Sequence, residues 1–445
     1  MKLGSTRWKV IWLLTLISVV RSMDAVNFSV AAKQIMPEYG LGNVRVGLLY
    51  TAYMLGYAMF HLPGGLLADT IGPRKVVGTA LLWWSIFTGL TAVAPRLPGL
   101  SLLGPFYAFM VVRFMIGMAE GACYPATSRM ISNWMTVDER SSAIGLAFSG
   151  TGIGYAIAPP LVAFLMVRFG WRLPFYLFAG VGIALAAWWY SYATDDPRAH
   201  RSVSAEELAL IQAGGARSAA TDLAIPWRAI VLDRNVLLIG AVGFCLGYGI
   251  FTYQSWFYLY LVNVRGFSQV SGGLFATGPF LSIVALSPAG GIVSDAMVRR
   301  YGRTTGRRIP AILGLLLSAV CIGLGAGASN AYLTVALLSL ANGLLYFSIA
   351  STYGAIIDIA GPFAGVTYGF AVTMLQCGGV IAPTLTPILA NRFGWTFAIY
   401  VLGVLAIVGS LLWLLIRAGD NLDLPEESAI AAGARQPAGA GSGRA

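Results

Sequence analysis

The chain alternates between apolar runs of about 20 or more residues and short polar turns. A helix needs a run of that length to cross the hydrocarbon core of a bilayer, which is about 30 Å thick. The runs lie at about residues 10–36, 46–68, 76–95, 105–132, 141–167 and 172–193, and then at 235–262, 270–296, 309–328, 331–357, 364–390 and 394–417. The pattern predicts an all-α membrane protein with 12 transmembrane helices.

A hydrophilic segment and an internal repeat divide these helices six and six. Residues 224 positions apart match repeatedly, as Gly154 matches Gly378 and as Arg-Phe-Gly-Trp at 168–171 matches the same tetrapeptide at 392–395. Because six helices return the chain to the side where it entered, both halves keep one orientation and the pseudo-twofold axis runs along the membrane normal. We therefore predict two pseudo-symmetric six-helix bundles. The predicted domains are bundles at 1–194 and 235–417, a cytoplasmic middle loop at 195–234 and a disordered cytoplasmic tail at 418–445.

Composition and charge agree with a membrane protein. Of 445 residues, 57% are hydrophobic and 11% are charged, which excludes a soluble fold because soluble domains carry roughly 25% charged residues. The net charge of +11 would suggest nucleic acid in a soluble chain. Here most of the 29 lysines and arginines fall in loops on one side. By the positive-inside rule, both termini and the middle loop are cytoplasmic, in a bacterial inner membrane, and no nucleic-acid partner is expected.

The N-terminus allows two interpretations. Lys2, Arg7 and Lys9 precede an apolar run from Val10, as in a signal peptide. We favour a first transmembrane helix, because the run continues past Asp24 without a convincing small-residue cleavage site.

Reactive groups are sparse. The four cysteines lie inside apolar runs, and two histidines are too few for a histidine-based metal site. No pairing of nucleophile and base is visible. We expect no enzymatic activity, no metal and no cofactor.

The turns between helices carry a recognisable motif. Residues 65–75, at the cytoplasmic end of the second span, resemble the helix 2–3 loop signature of the major facilitator superfamily, and residues 291–299 form a degenerate copy between spans eight and nine. The resemblance covers nearly the whole chain and implies two bundles rocking about a central site. It also implies that an acid contacts a neighbouring helix N-terminus and a basic pair, latching one conformational state. The alternative is a solvated turn whose charges only set the membrane orientation. The expected latch residues are Asp69, Arg74, Lys75 and Asp295.

Within that superfamily, residues 24–31, 113–125 and 256–261 resemble the anion:cation symporter family. The resemblance implies a small carboxylate as substrate, with protons as the coupled ion. The family usually has Arg directly after the helix 1 Asp, whereas this chain has Ala25. Arg21, one helical turn earlier, can project from much the same face and substitute for it.

Asp24 and Glu120 are the two carboxylates deep within apolar runs. An ionisable group there costs at least about 2.5–3.5 kcal/mol, so both should face a wet cavity and have a partner. If they titrate, the cluster with Arg21 and Arg113 gains positive charge on protonation and binds an anion better, which couples proton and anion. The alternative is two fixed structural pairs, Arg21 with Asp24 and Arg113 with Glu120.

Tyr50, Tyr53, Tyr57 and His61 share one face of the second span. Such a stripe is often packing, but phenols and an imidazole at lipid depth need polar partners, so we expect a cavity wall. His61 is a further proton-coupling candidate of lower rank. The expected substrate-binding residues are Arg21, Arg113, Tyr57, Tyr53, Asn27, Tyr253, Gln254 and Gln376. Ser348, Ser351 and Thr352 are further candidates for binding substrate hydroxyls.

The sequence thus predicts a monomeric proton-coupled importer of a small organic anion. A sugar acid, a hydroxy acid and an aromatic carboxylate all remain open. One rival is a proton-antiport exporter, although Gly150, Gly152 and Gly154 match an antiporter motif poorly. Another is a non-transporting membrane sensor, for which the middle loop is too short to supply a signalling domain.

Overall fold

A computed structural model describes residues 5–213, 226–360, 363–420 and 422. Within these ranges the fold is all-helical, with short 3-10 turns. The first half contains α1 (Thr6–Tyr39), α2 (Asn43–Thr70), α3 (Pro73–Thr91), α4 (Pro105–Trp134), α5 (Val137–Phe169) and α6 (Arg172–Tyr192). Two short helices follow, α7 (Ala205–Ala213) and α8 (Trp227–Leu232). The second half contains α9 (Arg234–Asn263), α10 (Gln269–Phe275), α11 (Gly278–Gly327), α12 (Ala331–Ala360), α13 (Ala364–Phe393) and α14 (Trp395–Leu415).

The predicted twelve spans are confirmed. Among the described residues, 9 helical segments are long and apolar enough to cross a membrane by length and composition. One of them, Gln269–Gly327, contains two spans, because Gly302 breaks α11 with φ 78° and ψ 169°, a left-handed conformation that glycine adopts without steric cost. α2 and α3 complete the set. The helix ends lie within a few residues of the ends of the apolar runs.

The twelve spans form the two expected six-helix bundles. In the first, α2 and α3 pack on α4, and α1 packs on α5. In the second, α9 packs on α13, and α11 packs on α12 and α14. The repeat reappears in this packing. A Cβ atom at Gly154 of α5 would lie 2.4 Å from the carbonyl oxygen of Val19 in α1, and one at Gly378 of α13 would lie 2.3 Å from that of Phe244 in α9.

The two bundles touch near one end of the molecule, which we call the clasp face: the end at which α1, α5 and α9 finish. Lys33 Nζ donates to Asn263 Oδ1 at 2.5 Å, and Thr277 Oγ1 donates to the carbonyl of Ala156. Thr51 Oγ1 donates to the carbonyl of Val380 at 2.7 Å and lies 2.8 Å from Thr384 Oγ1.

At the opposite end, which we call the loop face, α1 begins and α2 and α4 finish. No hydrogen bond between described residues joins the two bundles there. We call the space between the two bundles on this side of the clasp contacts the cleft.

The first part of the middle segment, up to Ala213, is fixed to the first bundle at the loop face. The Asp195 carboxylate accepts a hydrogen bond from the backbone N–H of Arg74 at 2.7 Å. Glu207 of α7 accepts from the backbone N–H groups of Thr6 and Arg7, where α1 begins. Most of the predicted disordered tail, 418–445, lies outside the described residues.

Candidate functional site

Glu120 is the centre of a buried charge network between α1, α2 and α4. Its carboxylate is 0% exposed, and Oε2 accepts a hydrogen bond from the Tyr53 hydroxyl at 2.6 Å. The Arg21 guanidinium lies 3.6 Å from the same oxygen. Arg21 also donates to the Tyr124 hydroxyl at 2.5 Å and lies 4.4 Å from the centre of that ring. A carboxylate, a phenol hydroxyl and an aromatic face therefore surround the buried Arg21 guanidinium.

Neither of the two fixed pairs considered from the sequence forms. Arg21 pairs with Glu120 of another helix, although Asp24 is three residues away in its own. Asp24 instead accepts from Thr88 Oγ1 of α3 at 3.0 Å, and its Oδ1 has no hydrogen-bond partner among the described residues. The long side chain of Arg21 reaches Glu120 of α4, whereas the shorter side chain of Asp24 reaches Thr88 of α3.

Arg113 is the second buried cation. It is 1% exposed, and its guanidinium carbon lies 4.7 Å from the ring centre of Phe28 and 4.5 Å from that of Tyr53. Its Nε and one terminal nitrogen have no hydrogen-bond partner, and no described carboxylate forms a salt bridge with it. Cation–π contacts compensate part of the lost hydration. The net result is a desolvated positive charge with no salt bridge among the described residues, and such a charge attracts an anion.

The stripe on α2 follows this network toward the loop face. Tyr53 and Tyr57 have ring centres 6.4 Å apart, and those of Tyr57 and His61 are 5.8 Å apart. Tyr50 lies at the clasp end of the stripe, with its ring 6.0 Å from Trp256 of the second bundle. Tyr57 lies close to Arg21. His61 is half-buried, and its Nδ1 has no partner among the described residues.

Two of the residues expected to bind substrate make no hydrogen bond with the charge network among the described residues. Asn27 is 0% exposed, and both of its amide atoms lack hydrogen-bond partners among the described residues. Tyr253 lines a small apolar cavity with Trp256 and Trp395, inside the second bundle. Hydropathy identifies a polar residue on a membrane helix but not the neighbour that its side chain meets, and here that neighbour is another helix of the same bundle.

The amide residues are placed differently. Gln254 of α9 donates to the Tyr155 hydroxyl of α5 at 3.1 Å and so joins the bundles at mid-depth. Gln376 is half-buried, and its Oε1 has no partner among the described residues. The α12 hydroxyls expected to meet substrate are turned into the bundle: Ser348 donates to the Ala311 carbonyl, Thr352 donates to the Ser348 carbonyl, and Ser351 is fully buried.

Three of the four latch residues have partners among the described residues, but none is paired with another latch residue. Asp69 forms a salt bridge with Arg129 of α4 at 3.1 Å rather than with Arg74 or Lys75. The Arg74 side chain donates to the Tyr190 carbonyl of α6, and Lys75 is exposed. The turn at Gly72, with φ 94°, directs the start of α3 toward α6.

In the second bundle, Asp295 accepts from Arg307 at 2.7 Å, and the same guanidinium binds Asp358 at 2.9 Å. Each bundle therefore carries its own charge pair at the loop face.

Sequence analysis missed Tyr124, Thr88 and Tyr155 as site residues. Tyr124 could have been identified from the sequence, because it lies one helical turn after Glu120 and hence on the same face of α4. Nothing in the local sequence singles out Thr88 or Tyr155, whose roles depend on which helices become neighbours.

Comparison with known proteins agrees with this geometry. The sequence pattern of the Major Facilitator Superfamily matches residues 14–305 and 300–440. The chain belongs to this superfamily. A probable sulfoacetate transporter of Cupriavidus necator is 32% identical over 428 residues, covering 95% of this chain and 97% of the relative. The hexuronate transporter of Bacillus subtilis is 29% identical over 408 residues, covering 90% of this chain and 92% of the relative.

The same fold occurs in a bacterial homologue of the human lysosomal transporter Spinster, solved in an inward-facing and unoccupied conformation. The TM-score is 0.77 at 16% identity, over 93% of this chain and 97% of that one. Family and relatives are transporters rather than enzymes, and the relatives carry organic anions. The predicted superfamily and the integral membrane character are confirmed, and so is the likeness to organic-anion transporters.

Proposed function

We propose that this superfamily member imports a small carboxylate together with protons across a bacterial inner membrane, as a monomer with both termini in the cytoplasm. The observation that carries the proposal is the arrangement around Glu120. Arg21 lies 3.6 Å from this fully buried carboxylate, while Arg113 nearby has no counter-ion among the described residues. Two cations thus have one close carboxylate partner, and protonation of Glu120 or Asp24 leaves positive charge for an incoming anion.

Coupling follows from competition for Arg21. A substrate carboxylate that binds the guanidinium weakens its hold on Glu120, and an unpaired buried carboxylate takes up a proton. Proton binding, in turn, frees Arg21 for substrate, since coupling between two ligands is reciprocal. Asp24, whose one hydrogen-bond donor among the described residues is Thr88, is the second proton site in this proposal, and His61 is a third candidate.

The cleft supplies the alternating step. In the described conformation the bundles meet at the clasp face and part at the loop face, so the site opens toward the proposed cytoplasmic side. Rocking about the site would break the clasp contacts and close the loop face. The pairs Asp69–Arg129 and Asp295–Arg307 are the proposed latch charges of that closure. An inward proton force drives the cycle, at about 2.3 kcal/mol per net charge moved across 100 mV.

The test is transport by purified protein in proteoliposomes. A radiolabelled panel of sulfoacetate, a hexuronate, a hydroxy acid and benzoate is supplied with and without an inward proton gradient. We expect at least one anion to accumulate only with the gradient. Glu120→Gln should abolish accumulation while exchange of preloaded anion continues, because the amide cannot carry the coupled proton.

The matched control is Glu38→Gln. Glu38 binds Arg172 and Trp171 at the clasp face, away from the network, so the same change of carboxylate to amide should leave accumulation intact. Gradient-independent uptake, or accumulation by Glu120→Gln equal to wild type, would contradict proton coupling through Glu120. Anion extrusion driven by the gradient would instead establish the exporter.

A further inference from the structure

Aromatic rings form the walls of the cleft around Arg21. From the first bundle, Tyr57 and Tyr155 lie close to the guanidinium, and Tyr124 lies beneath it. Phe148 packs on Tyr124 with ring centres 4.8 Å apart. These rings surround Arg21, which is 5% exposed, against 1% for Arg113.

The second bundle completes the aromatic wall. Phe280 of α11 faces Tyr155 with ring centres 5.2 Å apart and an interplanar angle of 31°. Tyr346 of α12 is half-buried and lies within electrostatic range of Tyr124 and Tyr155. Rings from both bundles therefore meet at the depth of Arg21, and an occupant of the cleft would contact both.

The α12 hydroxyls and the Gln254 amide, which could bind the hydroxyl groups of a sugar acid, are hydrogen-bonded within the protein. Ser348 and Thr352 donate to backbone carbonyls inside the second bundle, and Gln254 donates to Tyr155. Thr151 is hydrogen-bonded to Tyr124. A sugar acid brings several hydroxyl groups, each of which loses water on binding and destabilises the complex unless it finds a partner. The wall offers phenols, one half-buried amide at Gln376 and apolar ring faces.

We infer that the cleft takes an aromatic carboxylate: a planar ring whose carboxylate binds Arg21 and which carries at most one or two further oxygen substituents. The inference rests on the proposed function and narrows its substrate class. The substrate ring packs edge-to-face or offset against Tyr155 and Phe280, an arrangement that aromatic pairs prefer. The Arg21 guanidinium, stacked on Tyr124, meets the carboxylate with its planar edge.

The experiment compares proton-driven uptake of benzoate with that of cyclohexanecarboxylate and a hexuronate in proteoliposomes. We expect the KM for benzoate to lie at least about tenfold below that for the hexuronate, and about threefold or more below that for cyclohexanecarboxylate, which has similar size and charge but no π face. Tyr155→Leu should raise the benzoate KM about fivefold or more, whereas Tyr155→Phe, which keeps the ring, should stay within about twofold.

Tyr176→Leu is the matched control, because Tyr176 is an exposed tyrosine of α6, and it should leave the KM unchanged. A hexuronate KM equal to or below that of benzoate would overturn the aromatic assignment while leaving the proposed function intact. So would equal KM values for benzoate and cyclohexanecarboxylate, or a Tyr155→Leu variant with wild-type KM. Proton-independent uptake of every anion, or no uptake at all, would instead contradict the proposed function itself.

Discussion

At the scale of single residues, Arg21 is the proposed replacement for the arginine that the anion:cation symporter family usually has where this chain has Ala25. Arg21 begins one turn earlier on α1, yet its long side chain reaches both Glu120 and Tyr124 of α4. An anion binds the guanidinium group, so the location of that group in space matters more than the sequence position of its residue. Planarity matters too, because the guanidinium is hydrogen-bonded and stacked at once.

Replacing Arg21 with lysine tests this geometry. Lysine keeps the charge but cannot lie flat on Tyr124 while it contacts two acceptors, so we expect Arg21→Lys to raise the KM for the transported anion at least about tenfold. The measurement is the initial rate of uptake against substrate concentration in proteoliposomes. Arg172→Lys, in the ion pair with Glu38 at the clasp face, is the control and should leave KM unchanged. A wild-type KM for Arg21→Lys would assign the carboxylate to Arg113.

At the scale of helices, the internal repeat contains glycines with two different roles. Gly154 and Gly378 lie where α5 and α13 press on a carbonyl of the adjoining helix, at 2.4 and 2.3 Å from a would-be Cβ atom. Gly145 and Gly369 match just as well in sequence, but a Cβ atom there would meet nothing within 4 Å. The repeat alone does not distinguish a packing glycine from a tolerated one.

Alanine substitutions should separate the two pairs. Gly154→Ala and Gly378→Ala insert a methyl group against rigid backbone, which we expect to destabilise the protein by about 1–3 kcal/mol each. Gly145→Ala and Gly369→Ala should be neutral or stabilise by up to about 1 kcal/mol, because alanine favours the helix and meets no obstacle. Thermal unfolding in detergent measures both. Equal melting temperatures for all four variants would show that the helix contacts are looser than described.

At the scale of the whole molecule, the clasp between the bundles decides which face of the cleft is open. Thr51 of α2 contacts both Val380 and Thr384 of α13, and Lys33 contacts Asn263. These hydrogen bonds can break and re-form during transport. A covalent bond at the same place would hold the bundles in the described state.

Disulfide cross-linking tests that statement. In a background without the native cysteines, Thr51→Cys with Thr384→Cys places two thiols where the hydroxyl oxygens lie 2.8 Å apart. We expect oxidation to stop uptake and a reductant to restore it. The control is Thr252→Cys with Thr386→Cys, whose hydroxyls lie 3.3 Å apart within the second bundle; its disulfide should leave transport running. Full activity with the inter-bundle disulfide formed would argue against rocking at this contact.

The sequence by itself determined the twelve spans, their six-plus-six arrangement and the two buried carboxylates. The lipid bilayer imposes these features locally. A helix that spans it must be apolar over about 20 residues, and an ionisable side chain within that span is destabilising unless it has a partner or faces water. For that reason the predicted runs end close to the observed helices, and Glu120 lies inside the bundle as expected.

Only the tertiary structure determined which side chains pair with one another. Pairing of Arg21 with Glu120, of Asp24 with Thr88 and of Asp69 with Arg129 depends on which helices adjoin and how far each side chain reaches. The same holds for Tyr253, which lies beside Trp256 and Trp395 of the second bundle. A one-dimensional pattern gives the face of a helix only relative to its own axis. Packing against other helices turns that face toward lipid, protein or the cleft.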